Sequence, residues 1–214
     1  MDSNPSVTAT TVIPGRLWQP PVGASWQIVL SQSIVASDVP TITPDVDVYD
    51  VDLFDTPPET IAALHARGKH VVCSYEAWRT DAARFDNGDL GSALKGWQGE
   101  NWVKTGSPTV RAVMTSRIQL AASKGCDAHR PGKRRRLNCV EFLASTAAGY
   151  KMSIGLKNAG DIIPSVLSSV GFSVNEHSEL NAACNSSGTK GFSTVIKKMS
   201  LDKWVQYCND QKAN

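Results

Sequence analysis

Hydrophobic and polar positions follow no period over the first fifteen residues, MDSNPSVTATTVIPG, where Ser, Thr and Pro predominate, so 1–15 is expected to be a flexible lead. Order is expected from about Trp18. Trp26-Gln-Ile-Val-Leu30 is a short apolar run, and Val46-Asp-Val-Tyr-Asp-Val-Asp-Leu53 alternates at period two; both predict strands. Thr56-Pro57-Pro58-Glu59 then supplies an N-cap, a proline at the first helical position and a capping-box Glu. Ile61, Ala62 and Leu64 follow at helical spacing until Gly68, which predicts a helix over 57–67. His70-Val-Val-Cys73 predicts a third strand. Over 110–124 a helix is expected with Val113, Met114, Ile118 and Leu120 on one side, and Lys124-Gly-Cys-Asp127 turns into a fourth strand. The alternation repeats with a helix at 140–149, a strand Met152-Ser-Ile-Gly-Leu-Lys157, a helix at 161–169, a strand Phe172-Ser-Val-Asn175 and a last strand at 192–197.

Repeated strand–helix units predict a parallel sheet covered by helices. Seven such strands over some 200 residues fit an α/β fold of the (β/α)8 TIM-barrel type better than a doubly wound sheet, and there is no glycine fingerprint for a dinucleotide. The barrel is expected over 16–209, with a short tail at 210–214. Only fifteen residues separate Glu176 from Phe192, short for a helix plus the seventh strand, so imperfect closure is expected there.

Composition changes this picture little: 214 residues, 41% hydrophobic and 20% charged, exclude collagen-like and wholly disordered chains. No apolar stretch approaches the ~18 residues of a membrane span. The N-terminus shows no basic and apolar pattern of a secretion signal. Five cysteines, Cys73, Cys126, Cys139, Cys184 and Cys208, lack CxxC spacing, which argues against a zinc cluster and allows at most two disulfides. Charge matters more. Five of the 22 basic residues, Arg130, Lys133, Arg134, Arg135 and Arg136, fall in one run, leaving 17 bases against 20 acids elsewhere. Nucleic-acid binding through that run is expected to be weak and salt-sensitive, because no aromatic residue is interleaved to stack bases.

In barrels of this type chemistry sits at the C-terminal ends of the strands. The polar residues expected there are Asp50, Asp52 and Asp55; Tyr75, Glu76 and Trp78; Asp127; Lys157 and Asn158; and Asn175, Glu176 and His177. A carboxylate-rich rim suits glycosidic cleavage, which needs one carboxyl group to protonate the leaving oxygen and another to activate water or form the intermediate. Of Asp50 and Asp52, one is expected to face the barrel interior and the other the helices. Lys157 is expected to ion-pair with a rim carboxylate or to bind a sugar hydroxyl. Trp18, Trp26, Trp97 and Trp102 are expected in the core more than on sugar faces. His65 and His70 are expected at the surface or as satisfied core residues.

Six ordered segments carry a resemblance: Val48-Tyr-Asp-Val-Asp-Leu-Phe-Asp-Thr56, Ser74-Tyr-Glu-Ala-Trp-Arg79, Gly96-Trp-Gln-Gly-Glu-Asn-Trp102, Lys124-Gly-Cys-Asp127, Gly155-Leu-Lys-Asn158 and Asn175-Glu176. Over about 18–208 the chain resembles glycoside hydrolase family 114, the endo-α-1,4-polygalactosaminidase or α-galactosidase-like barrels. The resemblance implies an extracellular, monomeric (β/α)8 enzyme without metal or cofactor, acting on α-linked galactosamine-type polysaccharide. It implies catalysis by an acidic residue after strand 4 and the Glu after strand 6, which is Glu176 by position; Asp127 is a weaker candidate for the other. Asp50, Asp52, Asp55, Tyr75, Glu76, Trp78, Lys157 and Asn175 are the implied substrate contacts.

The chain departs from that family at strand 4. Where the family carries an acidic Asp/Glu-Pro-Asp/Glu-Asn-Val-Asp segment, this chain reads His129-Arg-Pro-Gly-Lys-Arg-Arg-Arg136. Codons for these eight residues, read one nucleotide later, permit Ile-Asp-Pro-Glu-Asn-Val-Asp-Gly. The basic run is therefore read as a frame- or splice-altered catalytic segment, with an inactive carbohydrate-binding barrel as the alternative and a selected basic patch for nucleic acid as a third reading. Cys73 also joins Ser74 directly, without the Tyr-Phe-Ser-Ala-Gly-like piece of the family, so the barrel is expected to be shortened around strands 3, 4 and 7.

Overall fold

The computed structural model describes residues 17–30, 32–75, 84–93, 101–131, 137–198 and 204–208. The expected lead and tail, and Glu76, Trp78, Trp97, Lys133, Arg134, Arg135 and Arg136, lie outside the described residues.

An eight-stranded sheet runs in the order β1 (Trp26–Val29), β2 (Val48–Asp52), β3 (His70–Ser74), β6 (Ala128–Arg130), β7 (Ser153–Lys157), β8 (Phe172–Glu176), β9 (Ser193–Lys197) and β10 (Val205–Tyr207). The first seven are mutually parallel, and β10 returns antiparallel to β9. The Tyr207 hydroxyl hydrogen-bonds the backbone of Trp26, and both side chains pack in one cluster, so the last strand meets the first and the sheet curls into a barrel. Two short strands, β4 (Leu90–Ala93) and β5 (Asn101–Val103), pair antiparallel in the long connection after β3.

Successive strand residues point to opposite faces, so the register sorts the sequence into two cores. One parity places Trp26, Ile28, Val48, Val72, Ala128, Phe172, Val174, Val195 and Tyr207 inside the barrel. The other places Tyr49, Val51, Val71, Cys73, Ile154 and Leu156 against α1 (Pro58–Ala66), α2 (Pro108–Lys124) and α3 (Leu137–Gly149), which contribute Ile61 and Leu64, Val113, Met114 and Ile118, and Val140 and Leu143. Each large apolar side chain so buried is worth about 1.5–3 kcal/mol. Gly155 on β7 belongs to the inner set because the Phe172 ring fills the space its Cβ would need.

Several expectations are corrected. Helix α1 begins one residue later than Thr56 can cap: Pro57 is the N-cap, with no side-chain capping bond. Thr56 is instead buried, and its carbonyl accepts from Lys124 Nζ at 2.8 Å, which also donates to the carbonyls of Leu53 and Phe54. The helix expected at 161–169 is a 3-10 turn, Gly160–Ile162, followed by the single turn α4 (Ile163–Val166). The crossover after β8, expected to be too short, is bridged by α5 (Leu180–Cys184), a five-residue helix whose backbone lies so close to Gly160 that a Cβ there would strike Ala182 and Ala183.

Two disulfides form, Cys73–Cys126 and Cys184–Cys208, while Cys139 is buried and outside both. They close loops of 53 and 24 residues, each worth about 3–4 kcal/mol on the loop-entropy account. No helix among the described residues is long and apolar enough to cross a membrane.

Candidate active site

Three inward-facing positions meet at the C-terminal edge of the first half of the sheet. Val72 pairs in register with both Asp50 and Ala128, and Ser74 pairs with both Asp52 and Arg130, so Arg130 ends its strand just above the level of Asp50. The Arg130 Nε donates to Asp50 Oδ2 at 2.6 Å, and a terminal nitrogen donates to Ser74 Oγ at 2.9 Å. Arg130 is 1% exposed and Asp50 0%. A buried ion pair of this kind offsets its desolvation only through close geometry and added hydrogen bonds, both present here.

Asp50 and Asp52 lie two residues apart and therefore share a face, which corrects the expectation that they part. They differ in height instead. Asp52, at the rim, accepts from the backbone N–H of Phe54 and Asp55 at 2.7 and 2.9 Å and so shapes the turn after β2. Asp55 is exposed in that turn.

Other expected site residues face elsewhere. Tyr75 has outward parity: its hydroxyl bonds Met114 Sδ at 2.7 Å, and the Arg117 guanidinium lies over its ring at 3.9 Å, within the layer between sheet and helices. His129 shares that layer. Its Nδ1 donates to the Cys73 carbonyl at 2.9 Å, and burial, aided by the charges of Arg117 and Arg130, pushes its pKa down to about 3, so the ring is neutral. Asp127 precedes β6 rather than following it, which puts it at the N-terminal edge, remote from a barrel's catalytic face. There it accepts from the Val71 N–H at 2.7 Å and meets His65 Nε2 at 2.9 Å and His70 Nδ1 at 3.4 Å. Burial raises its pKa, but the bonds from His70, Val71 and His65 outweigh that and hold it below the usual carboxylate range. Trp18 stacks on His70 and Trp26 fills the barrel interior, while Trp102 on β5 is 46% exposed.

The second half of the sheet supplies a cleft at the barrel mouth. Ile28 and Leu30 form its apolar side, and Arg130, Lys157, Asn158, Val174, Asn175, Glu176, Lys197 and Lys198 complete it around about 420 Å³ of space open to solvent. Lys157 and Glu176 share the inward parity and meet at this cleft, whereas Asn175, placed among the expected substrate contacts, has the opposite parity and turns its side chain away. Asn175 donates through Nδ2 to Ser173 Oγ at 3.0 Å on the outer face of β8. Asn158 has a role that sequence reasoning did not assign. It adopts φ +48°, a left-handed conformation that Asn tolerates, and its Oδ1 accepts from the Glu176 N–H at 2.7 Å, fixing the backbone of the candidate acid. Lys197 and Lys198 were also missed. Their signal was available, since Lys197 ends the last predicted strand and Lys198 follows it directly.

Among the described residues lining the cleft, Glu176 is the one carboxylate, facing four cations. Two carboxyl groups about 5–9.5 Å apart are what glycoside hydrolysis uses. The inward position that ends the fourth strand is held by the guanidinium of Arg130.

A parallel barrel with a polar cleft at the C-terminal mouth, where side chains from several strands converge, defines a protein of the TIM-barrel enzyme class. The family model described as glycoside-hydrolase family GH114 matches residues 7–179, and the chain belongs to that family. Ega3 of Aspergillus fumigatus, solved in complex with galactosamine, is 35% identical over 94% of this chain and 100% of its own, with TM-score 0.71. The glycoside hydrolase domain of PelA from Pseudomonas aeruginosa shares the fold at 9% identity, covering 86% of this chain and 98% of its own, with TM-score 0.59. So does the maltogenic α-amylase AmyB from Thermotoga neapolitana, at 8% identity over 72% of this chain and 49% of its own, with TM-score 0.53. No curated protein sequence matches the chain.

Proposed function

We propose that the chain is a barrel for α-linked galactosamine-type polysaccharide that binds the polymer at the mouth with Glu176 as its remaining catalytic carboxylate and hydrolyses it poorly. The single observation that carries the impairment is Arg130: it ends the fourth strand, in a buried ion pair with Asp50, where the one-nucleotide-shifted reading of 129–136 supplies an Asp. The likeness to Ega3, which holds galactosamine, supports the sugar class. The second reading, a carbohydrate-binding barrel with no hydrolysis at all, is favoured by the same residue, since a lone carboxylate leaves either the acid or the base role unfilled.

Nucleic-acid binding through the basic run loses support. Arg130 is buried and held by Asp50, which removes it from any surface patch. Two disulfides suit an oxidising compartment and support an extracellular location. The test is paired: co-sedimentation of the chain with a galactosamine polymer, and release of reducing ends from it. Binding with release near background is expected. Failure to bind, or release equal to that of an intact family member, would contradict the proposal.

A further inference from the structure

Beside Glu176 the mouth carries an aromatic residue that the site described above does not use. Trp204 stands one residue before Val205, which pairs with Lys197, and Lys197 pairs with Glu176; the indole is therefore at the level of Lys198, on the mouth side of the sheet. His177, directly after Glu176, meets the indole edge-on with ring centroids 5.7 Å apart, which orients the ring. The Lys198 ammonium lies over the indole face, 4.6 Å from its centroid. Lys198 itself lines the cleft with Glu176.

An indole face attracts a cation through its quadrupole, and it also stacks on the apolar face of a sugar ring. The lysine ammonium is thus a stand-in: it shows what chemistry this face accepts. A galactosamine residue offers both features, a flat C–H face and an ammonium. We infer that Trp204 is a binding platform for a 2-ammonium sugar unit next to Glu176, and that Lys198 occupies this platform in the free protein and is displaced when the polymer binds. This inference rests on the galactosamine reading of the cleft. Lys198 then acts as a built-in competitor that lowers affinity for amino sugars, and its removal strengthens their binding.

The experiment is titration calorimetry of the full chain with oligomers of galactosamine and, separately, of N-acetylgalactosamine, which lack the ammonium. Lys198→Met is expected to tighten the galactosamine oligomer about twofold to fivefold, the range of one exposed cation–π contact, and to leave the affinity for the N-acetylated oligomer unchanged. Trp204→Leu is expected to weaken the galactosamine oligomer about tenfold or more, and Trp204→Phe, which keeps a ring and the packing, to weaken it less. Should the Leu variant not fold, the Phe and Lys198 variants decide the matter. Equal effects of Lys198→Met on both oligomers, weaker binding in that variant, or unchanged affinity in Trp204→Phe would overturn the assignment while leaving the galactosamine reading intact. Absence of galactosamine binding by the unaltered chain would remove that reading, and the platform with it.

Discussion

Arg130 and Asp50 are each tolerable inside the barrel only because the other is there. Removing one partner leaves an uncompensated buried charge, whereas removing both leaves an apolar space. Arg130→Met and Asp50→Leu are therefore each expected to lower unfolding free energy by about 3–5 kcal/mol, and the double variant by less than either alone. Urea unfolding of the three variants checks this, and additive losses would show that the pair is not coupled. His129 gives a pH dependence. Its folded pKa is about 3 against an ordinary 6.5, so between those values the unfolded chain binds a proton that the folded chain excludes. Its stability contribution is complete above pH 6.5 and is lost as pH falls towards 3, at up to about 1.4 kcal/mol per pH unit. Asp127, whose folded pKa is also lowered, adds a loss in the same direction only once its own carboxyl titrates in the unfolded chain, near pH 4. Unfolding midpoints at pH 4.5–6.5 in the parent and in His129→Gln isolate the histidine, and the variant is expected to show the flatter profile.

At the scale of elements, the strands with clear apolar content were legible because period two and β-branched residues agree: Val48–Asp52 and His70–Ser74 fall where the pattern puts them. The short pieces were not. Val205–Tyr207 holds three residues, too few for a period, and Leu180–Cys184 is a polar-flanked turn of helix that propensity alone would not sustain. Long-range constraints hold both: α5 packs on Gly160, and Cys184–Cys208 ties α5 to the end of β10. Replacing both cysteines by serine is expected to cost about 3 kcal/mol and to speed hydrogen exchange at β10 before the parallel strands. Uniform acceleration across the sheet would show instead that β10 unfolds with the barrel as one unit.

For the whole molecule, the fold was readable from the alternation of strands and helices, whereas the site was readable only in part. Position along a strand identified Glu176 and Lys157 at the mouth, since the C-terminal edge of a parallel barrel is where side chains converge. It misplaced Asp127, which closes the turn into the fourth strand and so stands at that strand's N-terminal end rather than after it, and it misplaced Tyr75, because parity turns that ring towards α2. It could not foresee that Arg130 would turn inward and bind Asp50, since the residues around it read as a solvated basic run. That inward turn makes the central claim testable: the strand-four position belongs to the catalytic mouth and is filled by the wrong charge. The most direct measurement is reducing-end release from a galactosamine polymer by the chain as it stands and by the chain with 129–136 replaced by Ile-Asp-Pro-Glu-Asn-Val-Asp-Gly, with Glu176→Gln made in the replaced chain. The account predicts release near background from the first, a clear rise in the second, and loss of that rise with Glu176→Gln; efficient release by the unreplaced chain, or a rise that survives Glu176→Gln, would contradict it.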